Sequence, residues 1–234
     1  MNILVTGASR GIGAAAFALL QSTGHQIVGH STRGDDRLIP ADLADPAAPR
    51  ALWDAALDRL GGRIDVLVNN AGIYEAVGDD APDGEWHSAW ARTLAINLQA
   101  PADLARLAIA HFRLRGGGGR IVNVASRAAF RGDSPQHWHY AASKAALVAM
   151  TRTIARGYAA EQILAYAVAP GFTVSEMTEE YLRGRGGAQV VADIPLGRVA
   201  SADEVAETIR WLAIDAPASA TGTIIDVNGA SYVR

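Results

Sequence analysis

The sequence predicts an α/β fold: one domain spanning residues 1–234, with a doubly wound parallel sheet of about seven strands and helices on both faces. Three observations carry this. Six short runs rich in β-branched and other apolar residues, "NILVT", "QIVGH", "DVLVNN", "RIVNVAS", "ILAYAVAP" and "TIIDVNG", lack the polar alternation of a half-exposed strand. Strands covered by helices on both faces read in this way. Longer helix-like segments separate the runs, as crossover connections require. No internal repeat interrupts the pattern, and 234 residues suit one domain with a large core.

Taken in chain order, "NILVT" leads straight into "TGASRGIG" (residues 6 to 13) and then into the apolar helix "AAAFALLQSTG". After "QIVGH", a further short strand is expected near "RLIPA". Asp45-Pro46 suits an N-cap followed by the first helical position, and Ser201-Ala202-Asp203-Glu204 has the spacing of a capping box. The glycine-rich stretches at 116 to 119 and 184 to 187 read as loops. Residues 174 to 195, with Gly184, Gly186 and Gly187, suit a flexible lid, and their apolar members equally suit the core of a short helix.

Composition narrows the function. Half of the residues are apolar and 19% are charged, which fits a folded globular protein. The formal net charge of -3 shows no basic excess, so neither nucleic acid nor an anionic membrane surface is an expected partner. There is no cysteine, hence no disulfide framework and no thiolate metal site. The chain enters its first strand without a leader, which makes the cytoplasm the expected compartment. No apolar run approaches the roughly 20 residues of a membrane span.

The turn after the first strand carries the first chemistry. Gly7, Gly11 and Gly13 would let the backbone turn tightly, let a dinucleotide approach and let helix and strand pack closely, with pyrophosphate at the helix N-terminus. Standing alone, the motif could be an ordinary glycine-rich turn. Downstream, however, "NNAG" (69 to 72) ends the fourth expected strand, Asn97 lies in "TLAINLQAP", and Ser126 ends "RIVNVAS". "YAASK" places Tyr140 four residues before Lys144, and "APG" (169 to 171) follows the sixth run. With these elements in this order, the chain resembles the short-chain dehydrogenase/reductase family, whose glycine motif is Thr-Gly-x-x-x-Gly-x-Gly. The subgroup that looks most similar is β-ketoacyl-acyl carrier protein reductase-like. The resemblance runs from Asn2 through "DVNGASYV" and implies a Rossmann-type fold and nicotinamide-dependent redox chemistry.

Tyr140 and Lys144, four apart on a helix, share a face. An adjacent ammonium and an oxidised nicotinamide would both favour the phenolate, so the tyrosine pKa is expected to fall toward working pH. Tyr140 would then exchange a proton with a carbonyl or alcohol oxygen, and Ser126 would hydrogen-bond that same oxygen. The resemblance further implies that Lys144 holds the nicotinamide ribose and that Asn97 positions a water linking Lys144 to solvent. Taken singly, each has a structural reading: a packed aromatic, a solvated lysine, a turn serine and a helix-surface amide. The rival enzyme class, a serine hydrolase, lacks the Gly-x-Ser-x-Gly elbow around Ser126.

The cofactor calls follow. An acid at the end of the second strand would select NAD, but "VGHSTRG" puts Ser31 there, followed by Thr32 and Arg33. Arg10, between Ser9 and Gly11-Ile12-Gly13, is a second cation suited to a 2′-phosphate, so NADP(H) is favoured and NAD(H) is left open. Asp35 and Asp36 lie close enough to count against this. The resemblance places Asp42 and Leu43 beside the adenine, Asn69, Ala71 and Gly72 near the adenosine ribose and cleft, and Pro170, Gly171 and Ser175 past the nicotinamide. Ser175 stands where the family usually has a threonine.

The chain departs from the family in places. Leu164-Ala165-Tyr166 replaces a polar "Arg-Val-Asn", so an internal polar contact is expected to become packing. The loop "RAAFRGDSPQHWHY" carries Arg127, Phe130, His137, Trp138 and His139 and is bulkier than usual, which should alter substrate shape. His137 and His139 lack nearby carboxylate or cysteine partners, so no metal is assigned. Trp86 and Trp90 suit helix packing, an oligomer contact or an aromatic substrate wall. The expectation is an NADP(H)-dependent reductase or dehydrogenase acting on a small-molecule carbonyl or alcohol, β-ketoacyl thioesters included. It is expected to be a homo-oligomer, tetramer or dimer, through the helices carrying Asn97 and Tyr140. The alternative is a non-catalytic NADP(H)-binding regulator, which would be expected to lose Tyr or Lys.

Overall fold

The computed structural model describes residues 1–173 and 185–234. Every apolar run becomes a strand of one parallel sheet: β1 (Asn2–Val5), β2 (Gln26–Ser31), β3 (Leu38–Pro40), β4 (Val66–Asn69), β5 (Gly119–Val124), β6 (Ile163–Pro170) and β7 (Ile224–Val227). The strand order is β3-β2-β1-β4-β5-β6-β7, with every pair parallel. The order reverses direction between β1 and β4, and the crevice outside the carboxyl ends of strands at such a reversal is where ligands bind in open α/β sheets.

Two apolar layers sandwich the sheet. On one face α2 (Ala48–Arg59), α4 (Ala100–Leu114) and part of α6 (Trp138–Tyr158) bury Leu52, Trp53, Leu104, Phe112 and Ile154. On the other, α1 (Gly11–Ser22) and α8 (Ala202–Ile214) bury Phe17, Leu20, Val205, Ile209 and Leu212. All eight residues of β6 are buried, which is why the run shows no alternation. Tyr166 is completely buried within it, and its hydroxyl donates to Pro217 O at 3.4 Å, so the "Leu-Ala-Tyr" position packs yet keeps a polar contact.

The remaining helices are α3 (Asp83–Leu94), the short α5 (Ala128–Arg131) and α7 (Arg185–Ala192). The capping box is present: the Ser201 hydroxyl accepts from Glu204 N, and the Glu204 carboxylate accepts from Ser201 N. Asp45 is a correction. Its carboxylate accepts from Ala47 N at 2.9 Å in a local turn, and α2 begins only at Ala48, with Pro49 in its first turn. Local capping chemistry formed a turn instead of the helix itself. The stretch at 184 to 187 is also corrected, because α7 covers 185 onward, whereas Gly116, Gly117 and Gly118 do form a loop with positive φ. Of the expected lid, residues 174–184 lie outside those described. Among the described residues no helix is long and apolar enough to cross a membrane.

Candidate active site

The carboxyl ends of β1, β4, β5 and β6 deliver the expected residues to one edge of the sheet, because parallel pairing keeps them in register: Val5 opposite Val68, Asn69 opposite Asn123, and Val124 opposite Val168. Beyond β1 the chain turns through Gly7, whose φ of +66° favours glycine. A Cβ on Gly7 would come within 2.8 Å of Ala71 Cα, and one on Gly13 would land on the Gly7 carbonyl oxygen. The glycines thus let β1, α1 and the "NNAG" segment approach one another. Arg10 caps α1 with no side-chain hydrogen bond, and no acid occupies the first turn, so the N-terminal amides of α1 are open to an anion.

Two residues that hold this turn were not singled out from the sequence. The Asn70 amide donates to the Thr6 and Gly7 carbonyls, both at 3.0 Å, while the Thr6 hydroxyl accepts from Asn70 N and Ala71 N. His30 Nδ1 accepts from Gly7 N at 3.2 Å and Nε2 donates to Ala41 O at 2.9 Å. Burial lowers the His30 pKa, consistent with the neutral ring this pairing needs. Asn70 was within reach of the motif; nothing in the sequence marked His30, whose partners are backbone groups distant in the chain.

Around the second strand end, Ser31 is buried and accepts from Gly34 N, while Thr32, Arg33, Ser9 and Arg10 are exposed. Among the described residues neither arginine forms an ion pair. Asp35 spends its carboxylate on the Arg37 and Leu38 amides, which lowers its pKa and turns it from the arginines toward its own loop. Asp42 is exposed and accepts from Ala44 N, whereas the Leu43 side chain joins the core. Asn69 is only 2% exposed and donates to Asn123 Oδ1 at 2.9 Å, so its side chain braces the sheet and does not face the cleft. Ile12 and Ala71 are partly exposed. Gly171 is held by Val227 O, and a Cβ there would meet Asn228 Cα at 2.9 Å. Pro170 O accepts from Arg127 N. Ser175 lies outside the described residues.

The catalytic candidates converge. Gly72 is exposed, and a Cβ on it would stand 3.3 Å from both Asn97 Oδ1 and Lys144 Nζ. Asn97 sits in a π-helical turn (Ala95–Gln99) between α3 and α4, fully buried. Its amide bonds Ile73 at both N and O, and donates to Ser143 Oγ, which in turn donates to Tyr140 O. Single π-helical turns of this kind often occur at functional sites. The Ser126 hydroxyl accepts from Ala128 N at 3.1 Å and faces the Tyr140 phenol, whose pKa it lowers. Lys144 Nζ donates to Val124 O at 2.9 Å and lies 5.8 Å from the Tyr140 ring centroid.

The fall of the Tyr140 pKa was expected beside an oxidised nicotinamide; the chain's own groups act in the opposite direction. Burial pushes the phenol up to about 12, only partly opposed by the Ser126 hydrogen bond. Desolvation brings Lys144 down to about 8. Both groups are therefore driven toward their neutral forms by the same loss of water. The bulky loop contributes an aromatic wall: the Tyr74 ring stacks on His137 at 3.9 Å and meets Tyr140 edge-on at 4.7 Å. Trp86 and Trp90 pack α3 against the start of α6 through Trp138 and His139.

Comparison with known proteins decides the family. The chain matches the family model described as Enoyl-(Acyl carrier protein) reductase over residues 7–230. The chain belongs to the short-chain dehydrogenase/reductase family. The proteins to which it is similar include Protein FixR of Bradyrhizobium diazoefficiens, 36% identical, with 99% of this chain and 86% of that protein covered. The 3-oxoacyl-(acyl-carrier-protein) reductase FabG of Vibrio cholerae is 32% identical, covering 98% of this chain and 96% of that one. Among solved structures, a mutant short-chain dehydrogenase/reductase of Serratia marcescens superposes with a TM-score of 0.89 at 29% identity, covering 99% of this chain and 97% of that one. A short-chain dehydrogenase of Burkholderia cenocepacia in complex with NADP superposes with a TM-score of 0.87 at 31% identity, over 98% and 97% of the two chains.

Proposed function

We propose that this short-chain dehydrogenase/reductase reduces a carbonyl compound with NADPH, or runs the reverse oxidation, with Tyr140 as acid and base. The observation that carries the reading is the set of contacts joining the four residues: Asn97 and Lys144 flank Gly72, Asn97 reaches the Tyr140 carbonyl through Ser143, and Ser126 faces the phenol. The residues present fit a dinucleotide. Gly7 and Gly13 leave a cradle that a Cβ would fill, the α1 amides are open to pyrophosphate, and Arg10 and Arg33 stand unpaired where a 2′-phosphate would lie. That cofactor, held also by Asp42, Ala71, Lys144 and Gly171, would supply the hydride.

The chain's own groups supply the proton. With its pKa held high, Tyr140 is fully protonated at neutral pH and competent to donate to a carbonyl oxygen. Ser126 is oriented by Ala128 N and directs its hydroxyl to the same region, so that both hydroxyls serve one oxygen. Lys144 is the nearest cation that favours the phenolate left behind, and Asn97 fixes the helix turn that carries Tyr140 through Ser143. The family model's description names reduction of an enoyl C=C, whereas the name of the Vibrio cholerae relative implies reduction of a C=O. Two hydroxyls on one oxygen favour the carbonyl. Both Tyr and Lys being present argues against the regulator reading. A homo-oligomer assembled through α4 and α6 is part of the same proposal.

The test is NADPH and NADH oxidation across a panel of ketones, β-ketoacyl thioesters and enoyl thioesters. Tyr140→Phe is expected to lower carbonyl turnover by about 10²–10⁴-fold while NADPH binding, read by fluorescence, is kept. Unchanged turnover in that variant would remove Tyr140 from the mechanism.

A further inference from the structure

Arg127 immediately follows Ser126 and is only 8% exposed. A guanidinium so deeply buried normally faces a carboxylate, because an unpaired buried charge is costly. Among the described residues Arg127 has no ion pair, and its buried Nη1 meets no acceptor. Its backbone is fixed by a bond from Arg127 N to Pro170 O at 2.9 Å. The charged and titratable groups near it are Arg131, Asp133, Asp193 and Tyr74. The two carboxylates are engaged elsewhere: Asp133 accepts from Tyr74 at 3.1 Å and from Ser134 N at 2.7 Å, and Asp193 faces Arg131 at 3.9 Å. The Phe172 ring lies 5.0 Å below the guanidinium and can hold its plane, but it offers no hydrogen-bond acceptor.

The place of this fork matters as much as its lack of a partner. Phe172 follows Pro170-Gly171, and Tyr74 meets the Tyr140 ring edge-on. The guanidinium therefore lies between the segment at the end of β6 and the aromatic wall of the proton donor. We infer that Arg127 receives a carboxylate carried by the substrate, so that the compound reduced at Tyr140 is an oxo acid and the alcohol is the matching hydroxy acid. This rests on the reductase reading above. A carboxylate matches the planar fork with two hydrogen bonds, whereas a neutral thioester leaves the buried charge unpaired. In the step itself the carbonyl carbon takes a hydride from NADPH and its oxygen takes the Tyr140 proton, which solvent restores; NADP⁺ and the hydroxy acid leave with the carboxylate unchanged.

The test compares initial rates for α-, β- and γ-oxopentanoate, each beside its methyl ester, with NADPH and the full chain in wild type, Arg127→Met and Arg127→Lys. Thermal midpoints of the NADPH complex with each compound are measured in parallel. At least one acid is expected to exceed its ester by about 10–100-fold in kcat/KM, the range of charge-assisted hydrogen bonds. Arg127→Met should bring that ratio near one and Arg127→Lys should keep part of it. Esters or thioesters turned over as well as the acids in every pair, or a preference that survives Arg127→Met, would overturn the assignment and leave the reductase standing. If Arg127→Met does not fold, the wild-type ratio and the Lys variant decide. Acid-specific thermal stabilisation without turnover of any carbonyl would support the Arg127 site and sink the reductase reading; neither turnover nor stabilisation would sink both.

Discussion

Lys144 is a cation kept where water is excluded, 4% exposed and with a pKa brought down to about 8 from 10.5. Its folded pKa is depressed, so its stabilising contribution is whole only above the unfolded value and is lost as pH falls through about 8. At neutral pH the shift corresponds to about 3 kcal/mol of cost, offset by about 1 kcal/mol from the bond to Val124 O. Lys144→Met is thus expected to raise the thermal midpoint at pH 7, with a smaller gain at pH 10, while abolishing turnover. A lower midpoint at pH 7 would show that the lysine is stabilising and its burial overstated. At this scale the sequence placed Tyr140 and Lys144 on one helix face, because a four-residue helical spacing is local information. It could not reveal that burial is the largest influence on the phenol, since desolvation depends on what α6 packs against. Arg127 was placed in the bulky loop expected to shape the substrate, but that its neighbouring carboxylates are engaged elsewhere depends on the fold.

At the scale of elements, the turn between β1 and α1 is the piece on which the proposed cofactor binding would depend. Gly13 is inside α1, where alanine would ordinarily be the better helix former. Here the added methyl would fall on the Gly7 carbonyl and the Asn70 amide, so Gly13→Ala must push α1 from β1. The expected outcome is a loss of about 1–3 kcal/mol in denaturant unfolding, as for other overpacked sites, and at least a tenfold weaker NADPH affinity by fluorescence titration. An alanine variant that binds NADPH normally would show that the turn adapts. The Ser201 capping box could be read because both partners lie within four residues. Asp45 carried the same kind of signal and formed a turn ahead of α2 instead, since the helix start there follows the burial of Ala48, Pro49 and Leu52.

Across the whole molecule the strands were readable because a sheet covered on both faces demands short apolar runs rich in β-branched residues, whereas the apolar run of α1, "AAAFALL", is built from alanine, leucine and phenylalanine. What the runs could not convey is how the fold treats its histidines. His30, His111, His137 and His139 all have lowered pKa values, with burial the largest cause in each. Neutral in the fold but free to charge when unfolded, they contribute stability that is whole above the unfolded value of about 6.5 and lost as pH falls through the folded values. Each adds a slope of up to about 1.36 kcal/mol per pH unit, less for the partly exposed His111. Asp35, Asp65, Glu161 and Glu204 are shifted downward and weaken the fold only nearer pH 4 or below, so the interval from about 6.5 to 5 belongs to the histidines. The thermal midpoint is accordingly expected to be level from pH 7.5 to 7 and to fall steeply toward pH 5.5. His30 links that loss to the site, because a proton on Nδ1 would face the Gly7 N–H it now accepts from. His30→Gln offers both an acceptor and a donor without titrating. It should bind NADPH somewhat less well at pH 7.5 but show a smaller loss of affinity and midpoint between pH 7.5 and 5.5. An acid-induced loss of affinity identical in the two proteins would mean that the glycine turn is indifferent to His30, and that the weakening arises among the other histidines.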